Sequence, residues 1–511
     1  MDLLPIAARI AVERIRNVLI SHCQDRGKWV ARDHRVSTIY RLGRKQGSLD
    51  FVDVDVTKDT PVFLSPRALQ LLPSDWGDEC VFLVQNFFQH ILKLIQAGRH
   101  FDAEVLLGQL REPNETRLGL SSGKPQGHAL GTESAKDVWA ALSKSEAAKT
   151  GLLRDLEDTA LMIEGVGVDI ISDITTNIIR RPLIDYTQRM AKRFNIPLEQ
   201  GVVSGPMWNP VKREWENGFV ELPVPSTGKL LLVPKAVVRA DMQYKFDRYY
   251  RHYLITHLQR LEFEANTGLV RVLKDGTRKP PSKKSIMEKY GTGKKTVVKE
   301  TLNHPEVIEK YRADMDNEPY RPLTVEQLAE IEGIEPPDWD KLLGEVLVIP
   351  TGANDAKRYE DAVEALLSAL FTPDLTNPVI QYPLHNRKKI VDIKYTNMSQ
   401  TGFFYWVGQH YPAPLIWVEC KNYGGQVANP ELDQLAGRFS PSRGKVGLLV
   451  CRTFDNKTRF LERCIDTAKD DRGYILPLDD EDLKRMVEAR KADAFYQDWS
   501  LLRDRFEQLI A

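Results

Sequence analysis

Two carboxylates and an ammonium stand at strand-like positions late in the chain. Asp392 is the lone acid in the apolar run KKIVDIKYT, and Glu419 and Lys421 close the run LIWVECK. Alternate residues of a strand share a face, so Glu419 and Lys421 point one way while Val418 and Cys420 point the other. Desolvating two opposite charges costs free energy that their pairing offsets only in part. The pair is therefore either a structural ion pair at a strand end or part of a site that needs both charges. Upstream, the helical pattern YEDAVEALLSALF carries Glu360, with Asp361 and Glu364 as rivals and Glu364 one turn away on a similar face. Downstream, NPELDQLAGRF carries Gln434 on a helix. Hard divalent cations take oxygen ligands, commonly one or two carboxylates with water and substrate phosphate. Such an ion acidifies bound water and stabilises charge on phosphate oxygens. A neighbouring lysine orients or helps deprotonate the attacking water. Two carboxylates and a lysine on adjacent strands therefore suffice for phosphodiester hydrolysis.

The elements that must position these residues follow a clear grammar. From about Gly344 to Pro477 the patterns read helix, strand, strand, helix, strand and helix, with GKVGLLVCRTF and KTRFLERCIDTAKD as the last strand and helix. This alternation predicts an α/β or α+β arrangement with a mixed central sheet. The organisation expected is a mixed α+β region over 1–240, a helix-rich basic connection over 241–343, the strand-bearing domain over 344–485 and a terminal helix over 486–511.

On these residues the chain resembles the PD-(D/E)xK superfamily of nucleases, the restriction-endonuclease-like fold, in its Mrr-like flavour. The matching pieces are YEDAVEALLSALF, IVDIKYTN, VECKNYGGQV and ELDQLAGRF, about a quarter of the chain. A Glu-x-Lys tripeptide alone is a weak signal, whereas ECKNY between an apolar strand and a DQLAGR helix is fairly specific. The resemblance implies that Asp392 and Glu419 bind Mg²⁺, with Mn²⁺ as a substitute, and that the backbone carbonyl of Cys420 completes the shell. It implies that Lys421 is catalytic, that Glu360 supports the metal and that Gln434 flanks the site. It further implies a mixed sheet flanked by helices and DNA as substrate in a restriction or anti-phage setting. A homodimer or a defence-system protein is the further partner expected, because cutting both strands usually takes two sites. Two features depart from the family pattern. Val391, not proline, precedes Asp392, and the aromatic-rich NMSQTGFFYWVGQHYPAP separates the two carboxylates. That insertion either stacks on bases or flaps over the site, or is buried against the sheet.

Elsewhere the signals are plainer. SLDFVDVDV alternates like a strand, and DECVFLVQNFFQHILKLIQAG reads as a helix stopped at Gly98. REPNETRLGLSSGKPQGHALG reads as a long polar loop. Gly165 and Gly167 interrupt a helical block, with Ser172 or Asp173 as the cap of a new helix. GFVELPVPSTGKLLLVPKAVV reads as a hairpin around Ser-Thr-Gly. Asp169 and Asp173, together with Glu112 and Glu115, form either a second acidic site or a capped helix entry. RVLKDGTRKPPSKKSIMEKYGTGKKTVVK is strongly basic and reads as a phosphate grip or as a solvated loop and helix. Its GTGKKT is not a phosphate loop, because no glycine precedes at the required spacing and Lys295 stands where Ser or Thr belongs.

The 511 residues allow two to four domains. With 71 basic and 71 acidic side chains, no global field argues for nucleic acid, so any such surface is local. Five scattered cysteines without a CxxC pair suggest neither a disulfide framework nor a zinc knuckle. The first residues, MDLLPIAARIAVERIRNVL, read as an amphipathic helix rather than a secretory signal. No apolar run reaches the length of a membrane span, and a cytoplasmic setting is expected. The rival to a nuclease is a catalytically silent nuclease fold acting as a DNA-binding or scaffold module, and an RNA nuclease is a third reading.

Overall fold

The computed structural model describes residues 33–119, 138, 140–384, 389–423, 427, 429–493 and 499–511. The stretch read as an N-terminal amphipathic helix lies outside them, as does most of the glycine-rich loop after Leu118. The residues from Arg35 to Ala511 form one compact unit, mixed α+β with more helix than strand. Its buried apolar side chains gather in two cores, one drawn from residues 36–328 with Met398, the other from residues 343–509. Among the described residues no helix is long and apolar enough to cross a membrane.

The second core is built on a five-stranded mixed sheet. Its elements are α1 (Ala356–Phe371), β1 (Leu375–Leu384), β2 (Lys389–Asn397), α2 (Gly402–His410), β3 (Leu415–Lys421), α3 (Asn429–Ala436), β4 (Val446–Cys451), α4 (Lys457–Lys469), β5 (Tyr474–Leu478), α5 (Asp480–Ala492) and α6 (Ser500–Ile510). The spatial order is β5-β4-β3-β2-β1. β1, β2 and β3 pair antiparallel, and β3, β4 and β5 pair parallel. All six residues of β4 are buried, as expected of a parallel strand covered on both faces. On α1, Tyr359, Val363, Leu366, Leu367 and Leu370 recur at helical spacing and are all buried. β1 is the strand the sequence pattern concealed. Pro378 and Pro383 lack backbone donors, and the strand tolerates them because it lies at the sheet edge. The aromatic insertion forms α2. Phe403, Phe404 and Val407 enter the core, and Trp406 and Tyr411 pack on Phe506 of α6.

Three expectations for the first region fail on hydrogen bonding. SLDFVDVDV forms no ladder beyond isolated bridges, because its backbone donors go elsewhere: the Asp53 N–H donates to Gln46 Oε1 at 2.7 Å and the Val54 N–H to the Val52 carbonyl at 2.9 Å. Asp53 accepts from the Ser37 N–H and hydroxyl at 2.8 and 2.5 Å, and Asp50 accepts from the Tyr186 hydroxyl at 2.8 Å. The hairpin around Ser-Thr-Gly closes only at its turn, where the Gly228 and Leu230 N–H groups donate to the Pro225 and Pro223 carbonyls, and it builds no ladder. Phe219–Leu222 pairs instead with Glu199–Val203, while the Leu231 and Leu232 N–H groups donate to the Glu115 carbonyl and the Thr187 hydroxyl. Ser172 and Asp173 cap nothing. The helix Val168–Ile178 starts after Gly167 and carries both inside it, where the Ser172 hydroxyl accepts from the Leu64 N–H at 3.0 Å. The helix ending before Gly98 forms as Asp75–Gln96, with Ser74 as its cap.

Candidate active site

The ladder between β2 and β3 closes at the pair Ile393–Val418, one step short of Asp392 and Glu419. Past that pair the Cys420 N–H donates to Asp392 Oδ2 at 2.7 Å. On the other side of β2, the ladder with β1 runs on both sides of Asp392, which brings Gln381 alongside it. Gln381 Nε2 donates to both Glu360 oxygens at 2.8 and 3.0 Å and lies 3.4 Å from Asp392 Oδ1. One side-chain amide therefore joins the α1 glutamate to the β2 aspartate. Gln381 holds φ at +51° within a strand, a conformation that costs a non-glycine residue about 1–3 kcal/mol.

At the end of β3, Lys421 Nζ donates to Glu419 Oε1 at 2.9 Å and to Gln434 Oε1 at 3.1 Å. Gln434 Nε2 returns a bond to the same Glu419 oxygen. Glu419 is 1% exposed. Its second oxygen, Oε2, is buried with no hydrogen-bond partner. A buried carboxylate oxygen left bare is costly unless something positive meets it. Burial pushes the Glu419 carboxyl up from its ordinary value, with Lys421 pulling the other way. Burial and the Glu419 charge push Asp392 up, and burial and the Asp392 charge push Glu360 up. Three acids thus share one polar corner and disfavour one another's charge. A divalent cation suits that donor set. Asp392 and Glu419 are the residues that would hold it.

The sequence-derived residues Glu360, Asp392, Glu419, Lys421 and Gln434 come together here, with the Cys420 backbone between the two strand acids. The Cys420 thiol itself is buried and pushed well up by burial. Glu364, the rival to Glu360, does not reach the site. It is wholly buried, with Arg44 at 2.5 Å, Arg193 at 2.8 Å and the Ser368 hydroxyl at 2.7 Å. Asp361 faces outward and pairs with Lys357 at 2.8 Å, which also reaches Glu360 at 3.0 Å. Sequence reasoning missed Lys357 and Gln381. The only signal for Gln381 was a lone polar residue in PVIQYPL, between two prolines that hide the strand. Arg452, which follows β4, is taken up by structure, donating to the carbonyls of Val346, Leu347 and Ile349.

The second acidic group divides. Glu115 is buried in an ion pair with Arg180. Asp173, 8% exposed, is pushed well up by burial and by the charges of Glu112, Asp169 and Asp59. Lys294 of GTGKKT donates to the Ile163 and Val166 carbonyls at 2.7 and 2.9 Å, a structural role. Among the described residues, only His257, His304 and Glu306 bring three metal-ligating side-chain atoms within 4.8 Å of one another.

Residues 41–245 match a family model described as Domain of unknown function (DUF8370). That match ends before α1, so it contains none of the residues of the strand site. No curated protein and no solved structure matches the chain.

Proposed function

We propose that the chain is a metal-dependent DNA endonuclease of the PD-(D/E)xK type that hydrolyses phosphodiester bonds, acting as a restriction or anti-phage effector. The observation that carries this reading is the bare, buried Glu419 Oε2 beside Lys421, on the strand next to Asp392. Asp392 and Glu419 would hold Mg²⁺ or Mn²⁺, with the Cys420 carbonyl as a further donor. The ion, when bound, supplies an acidified water and neutralises charge on the phosphate. Lys421, held by Glu419 and Gln434, orients the attacking water. Gln434 fixes the Lys421 ammonium and Glu419 in one geometry, leaving fewer rotamers to freeze on binding substrate. Gln381 keeps Glu360 against Asp392.

The test is plasmid and phage DNA cleavage by the purified chain in Mg²⁺ or Mn²⁺, with EDTA and Lys421→Ala as controls and an RNA substrate alongside. Cleavage lost in both controls supports the reading. RNA cut in preference to DNA moves the assignment to a ribonuclease. No cleavage and no metal binding by calorimetry leaves the closed Lys421–Glu419–Gln434 set as a structural pair in a binding module. Intact metal binding without cleavage points to an enzyme awaiting a signal.

A further inference from the structure

Residues 271–280 are all exposed, and they form a two-stranded ribbon. Arg271–Val272 pairs antiparallel with Arg278–Lys279. The ribbon leads into two helices, Lys283–Tyr290 and Lys294–Asn303, joined by Gly291-Thr292-Gly293. Both glycines hold positive φ, +96° and +86°, and a side chain at 291 would meet Thr296 Oγ1 at 2.9 Å. The tight reversal therefore requires glycine there. Ile286, Val297 and Val298 face the core. The Tyr250 hydroxyl donates to the Gly291 carbonyl at 2.8 Å, and Gln259 donates to the Pro281 carbonyl at 2.7 Å. The helix–turn–helix is thus fastened by its inner face, with Lys283, Lys284, Lys289, Lys295 and Lys299 exposed on the outside.

The charge on this outer face is unbalanced. Residues 271–299 hold ten Lys and Arg against two acids, Asp275 and Glu288, in a chain whose totals cancel. Some of these cations have partners. Lys289 pairs with Glu262, Lys299 with Glu300 at 3.1 Å, and Arg278 donates to the Phe263 carbonyl. Among the described residues, the side chains of Arg271, Lys274, Lys279 and Lys295 have no ion-pair or hydrogen-bond partner. Arg271 and Lys279 lie directly opposite each other across the ribbon, an arrangement of like charges that destabilises a strand pair. Val272 beside them is 64% exposed. A bare cationic ribbon above a helix–turn–helix suits a regular polyanion. Either a two-stranded ribbon or a helix fits the major groove of a duplex, while lysine and arginine meet its phosphates.

We propose that residues 271–299 form a duplex-DNA-binding surface separate from the strand site, with Arg271, Lys274, Lys279 and Lys295 as its phosphate contacts. The inference rests on this segment alone and does not require the chain to cut DNA.

The test is fluorescence anisotropy of a labelled duplex with the full chain in EDTA, which removes cleavage from the readout. Binding is measured across a salt series. Replacing Arg271, Lys274, Lys279 and Lys295 together by Gln should weaken binding about tenfold or more and make the log–log salt slope shallower by about 3–4. All four side chains are exposed, so circular dichroism and the melting temperature should match the wild type. Equal charge removal at exposed Lys93, Lys212, Lys341 and Lys469 should leave the slope unchanged. An unchanged slope in the ribbon variant overturns the proposal, as does an equal loss in both variants. Single-stranded or duplex RNA outcompeting duplex DNA overturns the choice of ligand. Duplex binding by a chain that neither cuts DNA nor binds Mg²⁺ in the metal-containing assays removes the nuclease reading and keeps this surface. Cleavage that survives loss of the ribbon charges, with the salt slope intact, does the reverse.

Discussion

Glu360 and Glu364 lie one helical turn apart on α1, and their surroundings drive them in opposite directions. Burial and the Asp392 charge raise the Glu360 carboxyl. Arg193 and Arg44 outweigh complete burial and hold Glu364 down at about 2. The two arginines come from the region that precedes the strand-bearing core, so Glu364 fastens α1 to that region while Glu360 faces the strand site.

Glu364→Gln should therefore destabilise the fold, because it leaves Arg44 and Arg193 largely buried without their counter-charge. A loss of about 3–5 kcal/mol is expected in urea or thermal denaturation. The acid side of the stability profile should change as well. A depressed carboxyl contributes stability that is present above its unfolded pKa, about 4.3, and is lost as pH falls through about 2. The variant should lack that acid-dependent component. Glu360→Gln should leave the melting temperature in EDTA near the wild-type value and reduce the stabilisation given by Mg²⁺. A melting temperature equally low for both variants would contradict this division of roles.

Much of this site was legible in the sequence, because strand alternation placed Glu419 and Lys421 on one face and apolar runs fixed β2, β3 and β4. What was not legible depends on tertiary contact. The choice between Glu360 and Glu364 turns on arginines 320 and 171 residues away in sequence, whose approach no local pattern encodes. β1 was hidden by prolines that only an edge strand accommodates, and Gln381 was hidden with it. SLDFVDVDV misled for a related reason. Its Asp53 N–H donates to the Gln46 side chain and its Val54 N–H to the Val52 carbonyl, which takes the segment out of any ladder, while the buried Asp50 and Asp53 side chains bind Tyr186 and Ser37.

Lys421 and a cation bound by Asp392 and Glu419 would carry the same sign at close range. Lys421→Met should leave Mg²⁺ affinity unchanged or tighter, while DNA cleavage falls by about 10²–10⁴. Asp392→Asn and Glu419→Gln should instead abolish the Mg²⁺-dependent rise in melting temperature. At an ion concentration of about a hundred times Kd, that rise corresponds to about 2.7 kcal/mol. Calorimetry with Mg²⁺ and with Mn²⁺ separates the two outcomes. Loss of metal binding in Lys421→Met would assign the lysine to the architecture of the pair.

Gln381 tests whether backbone strain is kept for the sake of the site. Glycine relieves the φ of +51°, whereas alanine does not, and both remove the amide that joins Glu360 to Asp392. Gln381→Gly should be more stable than Gln381→Ala by about 1 kcal/mol. Both should show the same weakened response to Mg²⁺. Equal stability of the two variants would mean that the strand relaxes and the conformation is not stored strain.

Glu332 offers a pH response remote from the strand site. It ends the helix Val325–Glu332 with both carboxylate oxygens buried and without hydrogen bonds, and Arg35 Nε lies 3.7 Å away. Burial pushes this carboxyl up to about 8 against the pull of Arg35, and the Asp53 charge adds to the rise. A raised carboxyl means that the folded chain holds a proton the unfolded chain has released, so stability falls as pH rises from about 4.3 to about 8 and then levels. Glu332→Gln removes the titration and keeps the shape. Near pH 3.5 the variant and the wild type should melt together, because the acid is then neutral in both the folded and the unfolded chain. Near pH 9 the variant should be the more stable by on the order of a few kcal/mol, the wild type having lost the proton that burial favours. Denaturation of both proteins at the two pH values decides the matter, since groups that do not feel the Glu332 charge cancel in the difference. A constant difference would show that Arg35 already keeps Glu332 ionised.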